Sequence, residues 1–226
     1  MPERILYVGP LSLFSRKVEI ALREKGLGYE RVLVPFTQAA GYQPKHPVVA
    51  RSNPKRQVPV LVEGDLTLFD STVIFEYLED AYPAPPLYPR AARARARCRL
   101  IELEADEILF APVRNLLYRT EPPLEDGEAQ ARRAAAGREA EAELARQCAV
   151  LEARLQDRDW FCGDALSAAD IGMFMTVLWS QRLKGVGLAA YPALAAWYAR
   201  MLNRPSCAKA AEEIAAADRE LSPALA

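Results

Sequence analysis

The sequence predicts a two-part chain: an α/β segment of order β-α-β-(α)-β-β-α, then an all-helical segment. Three observations predict it. Up to about residue 82, short apolar runs alternate with stretches of helical spacing. "AYPAPPLYPR" (Ala81–Arg90) then places four prolines in ten residues, as a linker does. Beyond it strand signals vanish, while apolar residues keep the i, i+3, i+4 rhythm of packed helices. The predicted parts are 1–82, a Pro-rich linker at 83–90, and an all-α domain at 91–226.

Each element follows from local chemistry. "RILYV" (Arg4–Val8) reads as a strand that ends on the turn residues Gly9 and Pro10. From Ser12 the spacing turns helical, with Val18, Ala21, Leu22 and Lys25 on one side and Gly26 as the stop. "YERVLV" (Tyr29–Val34) is a second strand. The stretch "QAAGYQPKHPVVARSNPK" is rich in Pro and Gly and predicts an irregular segment with about one helical turn. "VPVLVE", the turn "GD" and "LTLF" form a hairpin, and a helix starting at Ser71 carries Ile74, Tyr77 and Leu78.

In the second part, Ile101, Ala105, Ile108 and Leu116 keep one helical face through Pro112, which is expected to kink that helix. Leu144, Cys148, Leu151 and Leu155 mark another helix. Ile171, Phe174, Met175, Leu178 and Trp179 mark a third; Leu194, Trp197, Tyr198, Met201 and Leu202 mark a fourth. "LSAAD" (Leu166–Asp170) is an S-x-x-D capping box with Leu166 and Ile171 spaced for a hydrophobic staple, a structural role.

Composition excludes several functions. The 226 residues are 51% hydrophobic, enough for one large domain or two small ones. A net charge of −1 argues against a polyanion partner, so no nucleic acid is expected. The basic run "RAARARARCR" reads as a solvated helix face answered by the acidic "ELEADE" after it. No run reaches the roughly 18 to 20 apolar residues of a membrane span, and "MPERILYVGP" lacks the pattern of a secretory leader. Cys98, Cys148, Cys162 and Cys207 lie far apart, and His46 is the single histidine. A zinc site or a Ser-His-Asp triad is therefore not expected, and unpaired thiols suit a reducing cytoplasm.

Two short stretches raise chemical questions. In "RQVPVLVEGDLTLFDS", Pro59 heads a strand although proline donates nothing to a sheet ladder, so it must mark an edge, a bulge or a start. Asp70 and Ser71 then open a helix, where capping is the plain explanation. Ser12 holds the matching position at the first helix, with Ser15 about one turn along.

"NPKRQVPVL" followed by "LFDSTVIFEYLEDAYP" resembles the thioredoxin-like half of cytosolic glutathione transferases. "LSLFSRKVEIALREKG" is similar to their first strand–helix junction, and "GDALSAADIGMF" to their helical-half signature. The resemblance spans Leu6 to about Ser206. It implies a thioredoxin-like N-terminal domain with glutathione as co-substrate and no metal, a small electrophile as second substrate, and a homodimer. It further implies that Pro59 is cis, that Val58 offers its backbone to the cysteinyl part of glutathione, and that Asp70 and Ser71 meet the γ-glutamyl end. Asp70 departs from the usual Glu or Gln. Ser12 would contact the thiol, with Ser15 as fallback; Leu13 replaces the family's usual proline. Lys45 and His46 stand near where some members hold the glycine carboxylate. Phe14, Arg114, Tyr118 and Trp179 are the candidates for an acceptor pocket. A serine at the motif disfavours thiol exchange. The remaining alternatives are an isomerase or lyase using the same thiolate, and a non-catalytic interaction protein of the same fold.

Overall fold

The computed structural model describes residues 4–222, so the leader reading of Met1, Pro2 and Glu3 lies outside the described residues. Four strands are formed: β1 (Arg4–Val8), β2 (Glu30–Leu33), β3 (Val60–Glu63) and β4 (Leu66–Phe69). The helices are α1 (Leu13–Glu24), α2 (Pro47–Ser52), α3 (Ser71–Ala81), α4 (Ala92–Leu103), α5 (Phe110–Arg114), α6 (Gly127–Leu155), α7 (Ala168–Arg182), α8 (Pro192–Leu202) and α9 (Pro205–Leu221). Packing divides the described residues into two compact units, one of 4–87 with 205–221 and one of 88–204 with 222.

The first unit is a thioredoxin-like layer. Its sheet runs β2-β1-β3-β4, with β1 parallel to β2 and antiparallel to β3, and β3 antiparallel to β4. Register decides what meets what. Val8 lies opposite Leu33, Tyr7 opposite Val60, and Val60 opposite Phe69. The C-terminal ends of β1, β2 and β4 therefore share one end of the sheet with the start of β3. Leu6, Val8, Val18, Ile20, Leu22, Ile74 and Leu78 are buried between sheet and helices. Gly26, at φ +65°, supplies the left-handed turn that ends α1, as its position predicts.

Helix α9, which the sequence reading left with the helical half, packs by its charges on α1. Arg16 donates to Glu19 at 2.5 Å and to Glu213 of α9 at 2.6 Å. Arg31 pairs with the same two carboxylates at 3.0 and 3.3 Å, and Arg23 reaches Glu213 at 3.3 Å. Glu19 is fully buried, which is tolerable because it is answered from several sides. The proline-rich stretch is also tied down at its start. Lys25 Nζ donates to Glu79 (2.8 Å) and to the carbonyls of Tyr82 (2.7 Å) and Pro85 (2.9 Å), while Glu79 accepts from the Leu87 amide.

In the second unit α7 is buried on nearly every side from Ala168 to Val177 and forms its centre. Its first turn is organised by Asp170, which accepts from the Ser167 amide (3.0 Å) and hydroxyl (2.7 Å), the Phe161 amide (3.0 Å) and Trp197 Nε1 (3.0 Å). The expected kink at Pro112 takes another form. Glu104–Leu109 is a π-helical segment between α4 and α5, and Pro112 sits buried beyond it. A proline ring crowds the carbonyl four residues back and offers no N–H, so the turn before it widens. The wider turn shifts the buried face: Ala105, Leu109, Val113 and Leu116 are inside, and Ile108, expected inside, is 52% exposed. The Ala105 carbonyl also accepts from Thr176 Oγ1 at 3.3 Å. The arginines of the basic run are mostly exposed, but Glu104 pairs with Arg154 of α6 rather than with them.

Candidate functional site

Ser12 ends the loop after β1 in an extended conformation and caps α1, its Oγ accepting from the Ser15 amide at 3.2 Å. That bond uses a lone pair and leaves the hydroxyl proton available. Ser15 is engaged differently. It is fully buried, and its Oγ accepts from the Gly9 amide at 3.3 Å, closing the turn between β1 and α1.

At the same end of the sheet, the Val58–Pro59 peptide bond is cis. The ladder begins at Val60, so Val58 lies outside it. The loop before it is held by Asn53, whose Nδ2 donates to the Gln57 carbonyl at 2.7 Å and whose Oδ1 accepts from the Lys55 amide. Asn53 drew no assignment from the sequence, although it opens the "NPKRQVP" motif.

Beyond β4, Asp70 adopts φ +75° and caps α3 by accepting from the Thr72 amide at 3.0 Å. With ψ at 126° it lies outside the left-handed helical region, a strained backbone that persists only where the surrounding structure imposes it. Ser71, the first residue of α3, is 4% exposed. A hydroxyl at the N-terminus of a helix suits a small carboxylate.

His46 takes a structural position: it caps α2 by accepting from the Val48 amide at 3.3 Å, and its ring lies 4.9 Å from that of Tyr7. Lys45 is half-buried beside it. Tyr42, missed at the sequence level, covers Gly9 so closely that a Cβ there would fall 2.3 Å from its hydroxyl. No local pattern announces a contact across that many residues; the only sign is that a glycine ends β1. Phe14 is half-buried in the first turn of α1, and the Lys17 ammonium lies 5.9 Å from its ring.

In the second unit, Arg114 is exposed and Tyr118 half-buried against Gly137 of α6. Trp179 is 3% exposed, with Arg182 stacked 4.7 Å from its ring centre. Among the described residues no cluster of three or more His, Cys, Asp or Glu side chains is placed to hold a metal, and no helix is long and apolar enough to cross a membrane.

Three segments at one end of a thioredoxin-like sheet thus present a capping serine, a strand head outside its ladder and a serine at the first turn of α3. Comparison with known proteins agrees with that pattern. Residues 6–86 match the model for the glutathione S-transferase N-terminal domain, and 108–205 that for its C-terminal domain. Glutathione S-transferase 3 of Zea mays is 34% identical over 211 residues, 90% of this chain and 91% of the maize protein. A stringent starvation protein A homolog of Coxiella burnetii is 43% identical over 96 residues, 42% of this chain and 43% of that one, so this relative is matched over less than half its length. Among solved structures, a glutathione S-transferase of Methylobacillus flagellatus KT with GSH bound superposes with a TM-score of 0.77 at 28% identity, covering 92% of this chain and 98% of that one. The chain belongs to the glutathione S-transferase family.

Proposed function

We propose that the protein is a glutathione transferase of the serine type, binding glutathione on the first unit and using its thiolate to attack a small apolar electrophile. One observation carries this reading: Ser12, the Val58–Pro59 head of β3 and Ser71 all belong to the same end of the sheet by register. In the proposed complex Val58 pairs with the cysteinyl backbone as an added strand would. Ser71 and the first turn of α3 take the γ-glutamyl carboxylate, with Asp70 near its ammonium. Ser12 donates its free proton to the sulfur.

The energetics are adequate. A free thiol titrates near 8.5, and lowering that by about two units requires roughly 2.7 kcal/mol of preferential thiolate stabilisation. A hydrogen bond to a charged group contributes about 1.5–3 kcal/mol, and a helix N-terminus about 0.3–1 more. Ser12 at the head of α1 supplies both, and no histidine is required. Orienting the two reactants supplies the rest of the acceleration.

Ser12 is preferred to Ser15 because the Ser15 hydroxyl is fully buried and already engaged with Gly9. The proposed setting is cytoplasmic and the proposed assembly a homodimer, for which sedimentation is the direct measurement. The test of function is retention on immobilised glutathione with elution by free glutathione, followed by turnover of a panel of electrophiles. Failure to bind would overturn the reading. A second reading, a glutathione-transferase-like interaction protein, is favoured by the 43% identity to a stringent starvation protein A homolog. Binding without turnover on any electrophile, cis alkene or carbon–halogen substrate is the result that reading expects.

A further inference from the structure

In the second unit, an open cavity of about 550 Å³ is lined by α4, the end of α6 and the segment that leads from α6 to α7. Arg97, Arg154 and Arg158 line it with Glu104, Asp157 and the half-buried Cys162. Arg154 is paired with Glu104, whereas Arg97 and Arg158 have no carboxylate partner among the described residues. Cys162 Sγ donates to the Ala94 carbonyl at 3.5 Å. Cys98, one helical turn after Ala94 on the same helix, is fully buried, and its thiol and that of Cys162 perturb one another. One thiol thus lines the cavity beside two guanidinium groups without a carboxylate partner among the described residues, and a second, buried thiol lies one helical turn from the carbonyl that the first one reaches.

We propose that this cavity admits small disulfides bearing carboxylates, which oxidise Cys98 and Cys162 to an intrachain disulfide. The carboxylates are held by Arg97 and Arg158, which recognise them as planar donors do. The Cys162 thiolate attacks one sulfur of the incoming disulfide, whose S–S bond breaks and releases one small thiol after protonation. Cys98 then gives up its proton and attacks the Cys162 sulfur, expelling the second small thiol. Two protein thiols lose two electrons and two protons, and one small disulfide is reduced to two thiols. The new bond ties α4 to the segment before α7, close to the Asp170 capping box.

The charges around Cys162 set the pace. Burial raises both thiols, Cys98 to about 12, and the Asp170 carboxylate raises Cys162 further, while Arg97 and Arg158 lower it. Cavity carboxylates Glu104 and Asp157 are offset by Arg154 and the two free arginines. The reaction therefore accelerates as the pH rises through the thiol range, and it is slow at neutral pH.

The reduced full-length chain is incubated at about pH 8.5, near the pKa of a free thiol, with oxidised glutathione and, separately, with cystamine, a disulfide carrying amines instead of carboxylates. Alkylation and mass spectrometry read the products. Wild type is expected to lose two hydrogens and to yield a Cys98–Cys162 cross-linked peptide. Cys98→Ala stops at one glutathionyl group on Cys162, and Cys162→Ser leaves Cys98 unmodified. Arg97→Gln with Arg158→Gln slows oxidised glutathione about tenfold and does not slow cystamine. The wild-type peptide map decides even where a cysteine variant folds poorly. A wild-type Cys162 that stays fully alkylatable, a different cysteine pair, or equal slowing of both disulfides overturns the proposal.

Discussion

Ser12 and Ser15 are one turn apart, and what each hydroxyl already does separates their effects. Ser12→Ala removes a cap and, on the proposed function, the thiolate's donor. The expected outcome is a rise of about 1–2 units in the pKa of bound glutathione, read by thiolate absorbance, with a stability loss of only about 1 kcal/mol. Ser15→Ala leaves the Gly9 amide without an acceptor in a buried site, so stability falls by about 1–3 kcal/mol while the thiol pKa holds. An unchanged thiol pKa in Ser12→Ala would place the chemistry elsewhere. Gly9 offers a second residue-scale test through Tyr42, since a Cβ would lie 2.3 Å from the Tyr42 hydroxyl and 2.5 Å from its ring. Gly9→Ala is expected to cost about 1–3 kcal/mol, as overpacking does, and to cost little in a Tyr42→Ala background. Denaturant midpoints of the four proteins close that cycle. The cap at Ser12 was legible because capping is local and leaves a spacing in the sequence. The Gly9–Tyr42 contact was not, because it is made in space between segments whose sequences carry no shared rhythm.

At the scale of elements, periodicity read the strands of the first unit and the helices α6, α7 and α8 well. It failed where a helix changes pitch. A π turn inserts an offset that i, i+3, i+4 spacing does not encode, and Ile108 on that pattern faces out. The S-x-x-D box was read correctly as structural, but its full reach was hidden. Asp170 also ties the Phe161 amide and the Trp197 indole, one from each neighbouring stretch. Burial outweighs these four donated hydrogen bonds and holds the Asp170 carboxyl above its ordinary value of 3.8. The folded protein therefore takes up a proton there before the unfolded chain does. The share of stability linked to this group is full below the ordinary value and is lost as pH rises through the raised one. Asp170→Asn lacks that linkage and leaves donors facing an amide nitrogen, so it is expected to cost about 2–3 kcal/mol at neutral pH. The gap to wild type widens as the pH falls through the raised carboxyl's range, and chemical denaturation against pH measures it. A gap that narrows on acidification contradicts the assignment.

On the scale of the whole chain, its first compact unit is discontinuous in sequence, because α9 completes it from the far end. A linear reading has no means of seeing this. The residues that dock α9 are spread over α1, β2 and α9, and each alone reads as surface charge. Together they form a cluster in which Arg16 and Glu19 are almost wholly buried and rely on Glu213 or on each other. Removing one partner from such a cluster leaves a buried charge short of its counter-charge, which typically costs about 3–5 kcal/mol. A chain ended after Arg204 is therefore expected to lose stability in the first unit, with faster amide exchange along α1. Glu213→Ala in the intact chain is expected to reproduce part of that loss, since it removes the carboxylate shared by Arg16, Arg23 and Arg31. Because Ser12 caps the same α1, the thiol pKa of bound glutathione is expected to rise in the shortened chain together with the exchange rate. If α1 exchanges as slowly without α9 as with it, the charge cluster is not what secures the helix that carries Ser12.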